Sequence, residues 1–171
     1  MLWLAAWHCR LPLLAAQMTT SGAEDAAALR EARTAADTSA CTRKYTSDGW
    51  VDGCALDSWT ADTEPCGDGY DSLCSGWYGV ECDERGGQVV RVDLWATRVG
   101  GELLRFFGRL GALVHLRLGK NPALRGNVVA DLADAAVYGK LNVTLLDLEG
   151  CPLVVGEAAA LAALLHLREE P

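Results

Sequence analysis

The sequence predicts an α/β solenoid: a short right-handed coil of repeats with parallel strands, entered through a disulfide-bonded helical N-terminal cap. Three observations carry that prediction. The pattern L-x-x-L-x-L-x-x-(N/C/T)-x-L recurs from Val89 onward. Five of the seven cysteines, Cys41, Cys54, Cys66, Cys74 and Cys82, crowd into 42 residues just upstream. Ahead of them, residues 24–36 (EDAAALREARTAA) have the composition of a short helix.

In chain order, residues 1–23 come first. Residues 1–17 hold no acidic residue and are mostly apolar, and Ser21-Gly22-Ala23 has the small side chains of a secretory cleavage site. The expectation is a signal peptide or uncleaved anchor. His8, Arg10 and Pro12 interrupt the apolar run, and the alternative start is Met18. No run reaches the roughly 20 apolar residues of a spanning helix. The helix over 24–36 is expected to take Ser21 as its cap, with Glu24 and Asp25 in the first turn. Its only large apolar residue is Leu29, so its buried stripe must be narrow.

The cap, 24–88, continues through a segment rich in Gly, Asp, Ser, Thr and Cys, with Trp50, Trp59, Tyr70, Trp77 and Tyr78 set among them. Such a segment lacks the aliphatic residues for a broad core. Crosslinks and aromatic packing must hold it. No two cysteines form C-x-x-C, which argues against a zinc ribbon or a thioredoxin-type site and for disulfides formed in an oxidising compartment.

The repeats occupy 89–171. The first copy has Val89, Val92, Leu94, Thr97 and Val99; the second Leu113, Leu116, Leu118, Asn121 and Leu124; the third Val143, Leu146, Leu148, Cys151 and Leu153. The repeats are therefore 89–112, 113–142 and 143–166, with a fourth beginning at Leu167. Alternation within each L-x-x-L-x-L predicts strands at 89–95, 113–119 and 143–149, stacked in parallel about 4.8 Å apart. Gly101, Gly108 and Gly111 mark the turn to the convex side in the first repeat, and Pro122 and Gly126 in the second. The six extra residues of the second repeat fall near 131–140 and fit there as a helical turn or bulged loop. Thr97, Asn121 and Cys151 share a position that points inward, so Cys151 reads as a buried, inert thiol.

The formal net charge is -8, with an isoelectric point near 4.8. That balance argues against a nucleic-acid binder, which needs a basic face. No G-x-S-x-G, H-E-x-x-H or phosphate-binding Gly loop occurs, and Asp68 to Asp71 (DGYD) lacks calcium-loop spacing. No reaction, metal or cofactor is expected. Asn142-Val143-Thr144 is an N-glycosylation sequon, to be used only if the chain is secreted.

These residues resemble a plant-type leucine-rich repeat ectodomain with its amino-terminal cap, as in receptor-like proteins, receptor-like kinases and polygalacturonase-inhibiting proteins. The resemblance rests on the helix AALREARTAA, the tryptophan of LDSW (Leu56 to Trp59), the block CSGWYGVEC (Cys74 to Cys82) and the in-phase repeats behind it. In the first repeat it continues through Val99, Gly101, Leu103, Phe107, Gly108 and Leu110, with Leu104 where the pattern has proline. The resemblance implies a bridge between Cys74 and Cys82. Cys66 should then pair with Cys41 or Cys54, leaving one cap cysteine over. Cys41, Cys54 and the stretch 37–58 exceed the usual cap.

The resemblance also implies recognition of a protein, peptide or glycan through the exposed strand face, outside the cell or at its surface. The residues between the inward leucines form that face: Arg91, Asp93 and Trp95; His115, Arg117, Gly119 and Lys120; Leu145, Asp147 and Glu149. Trp95, His115 and Arg117 are expected at its centre, because exposed aromatics and arginines favour binding hot spots. The competing reading is that Asp93, Arg117 and Asp147, in one column, satisfy one another and serve only solubility. Two other functions stay open. The chain could be a truncated structural or assembly fragment that joins a second copy or a longer co-receptor through its uncapped last repeat. The third reading is a small cysteine-rich secreted hydrolase.

Overall fold

The structure, a computed structural model, describes residues 20–46, 49–66, 76–83, 85, 87–137 and 143–156. Residues 1–19 of the leader, Cys74, Tyr70, the glycosylation candidate Asn142, His166 and Leu167 lie outside the described residues, whereas the last four leader positions, 20–23, open the first helix.

The cap begins with α1 (Thr20–Ala35). This helix starts upstream of the expected point. Ser21 therefore lies inside it instead of capping it, and Glu24 and Asp25 fall outside its first turn. Its buried face is Ala28, Leu29 and Ala32 with Ala26 beside them, so Leu29 is the only large side chain in it. Next come β1 (Ala36–Asp37) and the antiparallel pair β2 (Arg43–Thr46) and β3 (Gly49–Asp52), then a 3-10 turn at Ala55–Ser58 and β4 (Val80–Cys82).

The repeat region supplies β5 (Val89–Asp93), β6 (Gly100–Gly101), α2 (Leu104–Phe107), β7 (His115–Arg117), β8 (Arg125–Asn127), α3 (Val128–Val137), β9 (Leu145–Asp147) and β10 (Leu153–Val155). The predicted strands are present but shorter as ladder segments. Hydrogen bonds between successive repeats nevertheless run beyond them. Val114 N donates to Val90 O, Ala96 N to Gly119 O and Lys120 N to Glu149 O, at 2.8, 2.9 and 2.6 Å. β5, β7 and β9 are parallel and in register, with Arg91, His115 and Leu145 in one row, Val92, Leu116 and Leu146 in the next, and Asp93, Arg117 and Asp147 in the third. The sheet is mixed, however. β4 of the cap pairs antiparallel with β5, so the front edge of the parallel set is closed by a cap strand.

A second line of pairing was not foreseen. β1 pairs antiparallel with β6, Gly101 bridges Leu124, and β8 pairs in parallel with β10. Gly101 and Gly126, expected as turn markers, lie in these strands. Gly101 sits at φ +92° against the Ala35 carbonyl, where a Cβ would collide with the backbone of α1. α1, α2 and α3 pack in that order. The six extra residues of the second repeat lengthen its helix: α2 is one turn, whereas α3 has 10 residues. α3 starts ahead of the expected 131–140 because Asn127 Oδ1 accepts from Val129 N and Ala130 N at 3.0 and 3.1 Å, a side-chain cap on the free N–H groups.

Between strands and helices lies one core, formed by Val89, Val92, Leu94, Leu113, Leu116, Leu118, Leu124, Phe107 and Val143 with the cap residues Leu29, Leu56, Trp59 and Trp77. Each fully buried leucine contributes about 1.5–3 kcal/mol relative to leaving it in water. Cap and repeats share this core, so the aromatic residues of the cap seal the first repeat. Trp59 and Trp77 stack with ring centroids 5.6 Å apart.

The disulfides correct the expected pairing. Cys82 is bonded to Cys66, not to Cys74, and Cys41 is bonded to Cys54, not to Cys66. Backbone register explains both. Arg43 faces Asp52 across the β2–β3 hairpin and Gly53 N donates to Thr42 O, so one step further Cys41 faces Cys54, Cα to Cα 4.9 Å. Trp77 N donates to Pro65 O at 3.2 Å, which lays the Cys66 segment along the approach to β4 and brings Cys66 within 5.6 Å of Cys82, Cα to Cα. Non-reducing peptide mapping is expected to recover linked peptides 41–54 and 66–82. Opening the 66–82 bridge with a Cys66→Ser/Cys82→Ser double variant is expected to cost about 3 kcal/mol, the usual figure for a loop of this length. A peptide linking Cys74 to Cys82 would refute the assignment.

Candidate functional site

Of the residues singled out for the strand face, Arg91, His115, Arg117 and Asp147 line one concavity; Asp93 and Trp95 contact Arg117 beside it, and Lys120 and Glu149 pair with each other outside its lining. A concavity of about 310 Å³ is lined by Arg91, His115, Arg117, Leu145, Leu146 and Asp147. The parallel register forces this arrangement. Side chains two apart on a strand share a face, and equal positions of successive repeats stand side by side. Arg91, His115 and Leu145 thus form one row above the leucine rungs, and Asp93, Arg117 and Asp147 the next.

The charged row is internally bonded, as the column argument anticipated. The Arg117 guanidinium donates to Asp93 Oδ2 at 3.4 Å and to Asp147 Oδ2 at 3.3 Å. Arg91 reaches the same Asp93 oxygen at 3.3 Å and Glu81 Oε1 at 3.5 Å. Lys120 Nζ pairs with Glu149 Oε1 at 2.6 Å, and that hydrogen bond raises the Lys120 ammonium above its usual value. All these groups touch solvent, so each pair contributes little to stability. Their effect is to hold the long side chains in one geometry. Arg117 also lies over Trp95, 5.1 Å from the ring centroid, a cation–π contact that orients the indole at the rim of the same face. Leu145 adds an apolar surface, 44% exposed, at the outer row.

Asp93 and Asp147 have a second job that the spacing did not disclose. Their Oδ1 atoms accept from Trp95 N and Glu149 N, two residues on, at 3.1 and 3.0 Å. This turns the chain sharply at the end of each strand. The turn then passes through left-handed backbone at the same repeat position each time, Ala96 (φ 56°), Lys120 (φ 61°) and Gly150 (φ 72°). Only Gly150 takes it without steric cost.

Behind the face runs the polar column. Asn121 is fully buried. Its Nδ2 donates to Leu94 O and Leu118 O at 2.8 and 2.7 Å, and its Oδ1 accepts from Val99 N at 3.2 Å. Thr97 Oγ1 donates to Leu94 O at 2.8 Å, and Cys151 Sγ to Leu118 O at 3.2 Å. Burial pushes the Cys151 thiol up, and the position expected to point inward does so.

One buried carboxylate escaped the sequence reading. Asp25 of α1, 2% exposed, accepts from Val89 N, the first residue of β5, at 2.9 Å. Burial pushes its carboxyl up to about 6; the Val89 hydrogen bond opposes this, and the charges of Glu24 and Asp83 add to it. The available signal was an acidic residue on the apolar side of a helix whose other buried positions are Gly22, Ala26, Ala28, Leu29 and Ala32. Among the described residues, no group of three His, Cys, Asp or Glu side chains is placed to hold a metal ion. No helix among them is long and apolar enough to cross a membrane.

The geometry is similar to that of a solved structure, the leucine-rich repeat ectodomain of the Arabidopsis receptor kinase HAESA in complex with an N-terminally extended IDA peptide hormone ligand. The TM-score is 0.57 and the identity 24%, over 87% of this chain and 20% of that one. The chain thus spans about a fifth of that ectodomain's length. No family model and no curated protein matches the chain. The in-register rungs, the buried polar column and this likeness together give the chain a leucine-rich-repeat-like fold.

Proposed function

We propose that the chain is a non-catalytic extracellular recognition module, a right-handed leucine-rich repeat coil. It takes a protein, peptide or glycan ligand on Arg91, Asp93, Trp95, His115, Arg117, Lys120, Asp147 and Glu149. The observation that carries this reading is the open concavity in which two guanidinium groups, an imidazole, a carboxylate and Leu145 converge on a rigid sheet. Fixed polar groups beside an apolar surface are what a selective binding site needs. That the similar ectodomain is solved with a peptide hormone supports it. The two disulfides among the described residues support passage through an oxidising compartment, and glycosylation at Asn142 would follow from it.

The test is selection from a displayed random-peptide library against the purified chain. Binders are expected to lose at least tenfold in affinity on Trp95→Ala and on Arg117→Ala, as central aromatic and arginine contacts do. Lys120→Ala, at the rim, should cost less than threefold. Both rest on unchanged thermal melts. Selected binders indifferent to Trp95 and Arg117 would sink the proposal.

The second reading, association through the last repeat, is favoured by one observation. Leu145, Leu153 and Val155 are 44%, 49% and 58% exposed on β9 and β10, the outermost described strands of their sheets. Light scattering at rising concentration separates the two, since a monomer at micromolar concentration would leave this reading without support.

A further inference from the structure

Besides the shared core and the β4–β5 and β1–β6 pairings, the cap and the first repeat meet where α1 crosses the start of β5. Gly22 of α1 packs directly on the Gly87 carbonyl, so closely that even a methyl group would collide with it. The loop behind that carbonyl is held by Asp83, whose Oδ1 accepts from Gly87 N and Gln88 N at 2.8 and 3.2 Å. The next residue, Val89, is fully buried and begins β5, and its N–H is bonded to Asp25 Oδ2. A side chain of α1 thereby takes up the first backbone donor of the repeat stack.

Among the described residues, no cation compensates Asp25. The groups facing it are Glu24 from its own helix and Asp83 from the loop, both acidic. Among the described residues no lysine, arginine or histidine is bonded to it. An ionised carboxylate there is buried with one backbone donor and two like charges, whereas a protonated one keeps the Val89 bond through its carbonyl oxygen without the buried charge.

We infer that Asp25 is a proton-operated latch between the cap helix and the first strand, tightened by mild acid and loosened at neutral pH. The direction follows from linkage. Burial pushes the folded carboxyl up to about 6, above the usual 3.8 of a free aspartate. Between those values the docked state binds more protons than the undocked one. Docking is therefore strongest below about pH 4 and weakens as pH rises through about 6. The largest effect is on the order of a hundredfold in the docking equilibrium, tenfold for each unit of the difference.

The test is hydrogen exchange at the Val89 amide, expressed as protection relative to the free peptide at each pH, on the full chain. Protection is expected to be about tenfold higher at pH 5 than at pH 7.5. In Asp25→Asn, which keeps a carbonyl acceptor and cannot ionise, the difference should vanish. Equal protection at the two pH values in the unaltered chain would overturn the latch, as would an unchanged slope in the variant. Should the variant fail to fold, carbon-13 titration of the Asp25 carboxyl in the unaltered chain decides. A midpoint near 6 supports the latch and one near 4 overturns it.

Discussion

Asn121→Ala is expected to lower stability by about 3–4 kcal/mol. The side chain is wholly buried and bonds most closely to three backbone groups in two turns, with Gly119 O a more distant fourth at 3.5 Å. These groups are not equally dependent on it. Leu94 O keeps the Thr97 hydroxyl at 2.8 Å, and Leu118 O keeps only the weak Cys151 thiol donor. Val99 N, on a fully buried residue, has no other bonded partner among the described residues. A buried donor left unpaired costs about 1–3 kcal/mol, and the void and the weakened carbonyl supply the remainder. Thr97→Val, which removes one donor from a carbonyl that retains another, should cost only about 1 kcal/mol. Urea unfolding measures both. If the two variants were equally mild, the polar column would not be what fixes the turns.

Trp77→Ala is expected to cost about 3–5 kcal/mol, the usual range for deleting a buried large aromatic side chain. The indole is nearly inaccessible, stacks on Trp59, donates from Nε1 to Thr63 Oγ1 at 2.8 Å and carries the Arg30 guanidinium 5.5 Å from its ring. Trp59 in turn donates to Tyr78 O at 2.9 Å, so the pair ties the 58–63 loop to the strand that closes the sheet. Trp77→Phe preserves most of the stack and loses the N–H, and should cost about 1–2 kcal/mol. Near-ultraviolet circular dichroism and thermal melts test this. The alanine variant should lose the coupled-tryptophan signal and melt well below the phenylalanine variant. A chain that tolerated alanine at 77 would show that the cap is held by its disulfides alone.

Much of the repeat region was legible because it obeys one local rule. Alternating aliphatic residues must face the core, and a fixed spacing must stack them, so Val92, Leu116 and Leu146 fall into register without any knowledge of distant contacts. The same spacing placed Asp93, Arg117 and Asp147 in a column, and their mutual hydrogen bonds follow from charge alone. The inward position of Asn121 and Cys151 was legible for the same reason.

The cap was less so. Its bridges join residues 13 and 16 apart, and nothing in the composition says which cysteine faces which. The choice is made by the β2–β3 register and by the Trp77–Pro65 hydrogen bond, and both depend on how the segment folds over α1. Residue type also misplaced two helix starts: α1 runs through Ser21, and α3 begins at the cap provided by Asn127.

Local pattern determined the rungs, their face and their spacing, since a strand's two-residue alternation and a repeat's length are properties of adjacent residues. Tertiary structure decided whatever depends on residues far apart in the chain: the cysteine pairing, the second line of strands from β1 to β10, and the burial of Asp25 against Val89. A carboxylate at position 25 reads as solvated until the first strand is laid beside it. Only the packing of α1 on that strand removes water from it and gives it the Val89 N–H as a partner.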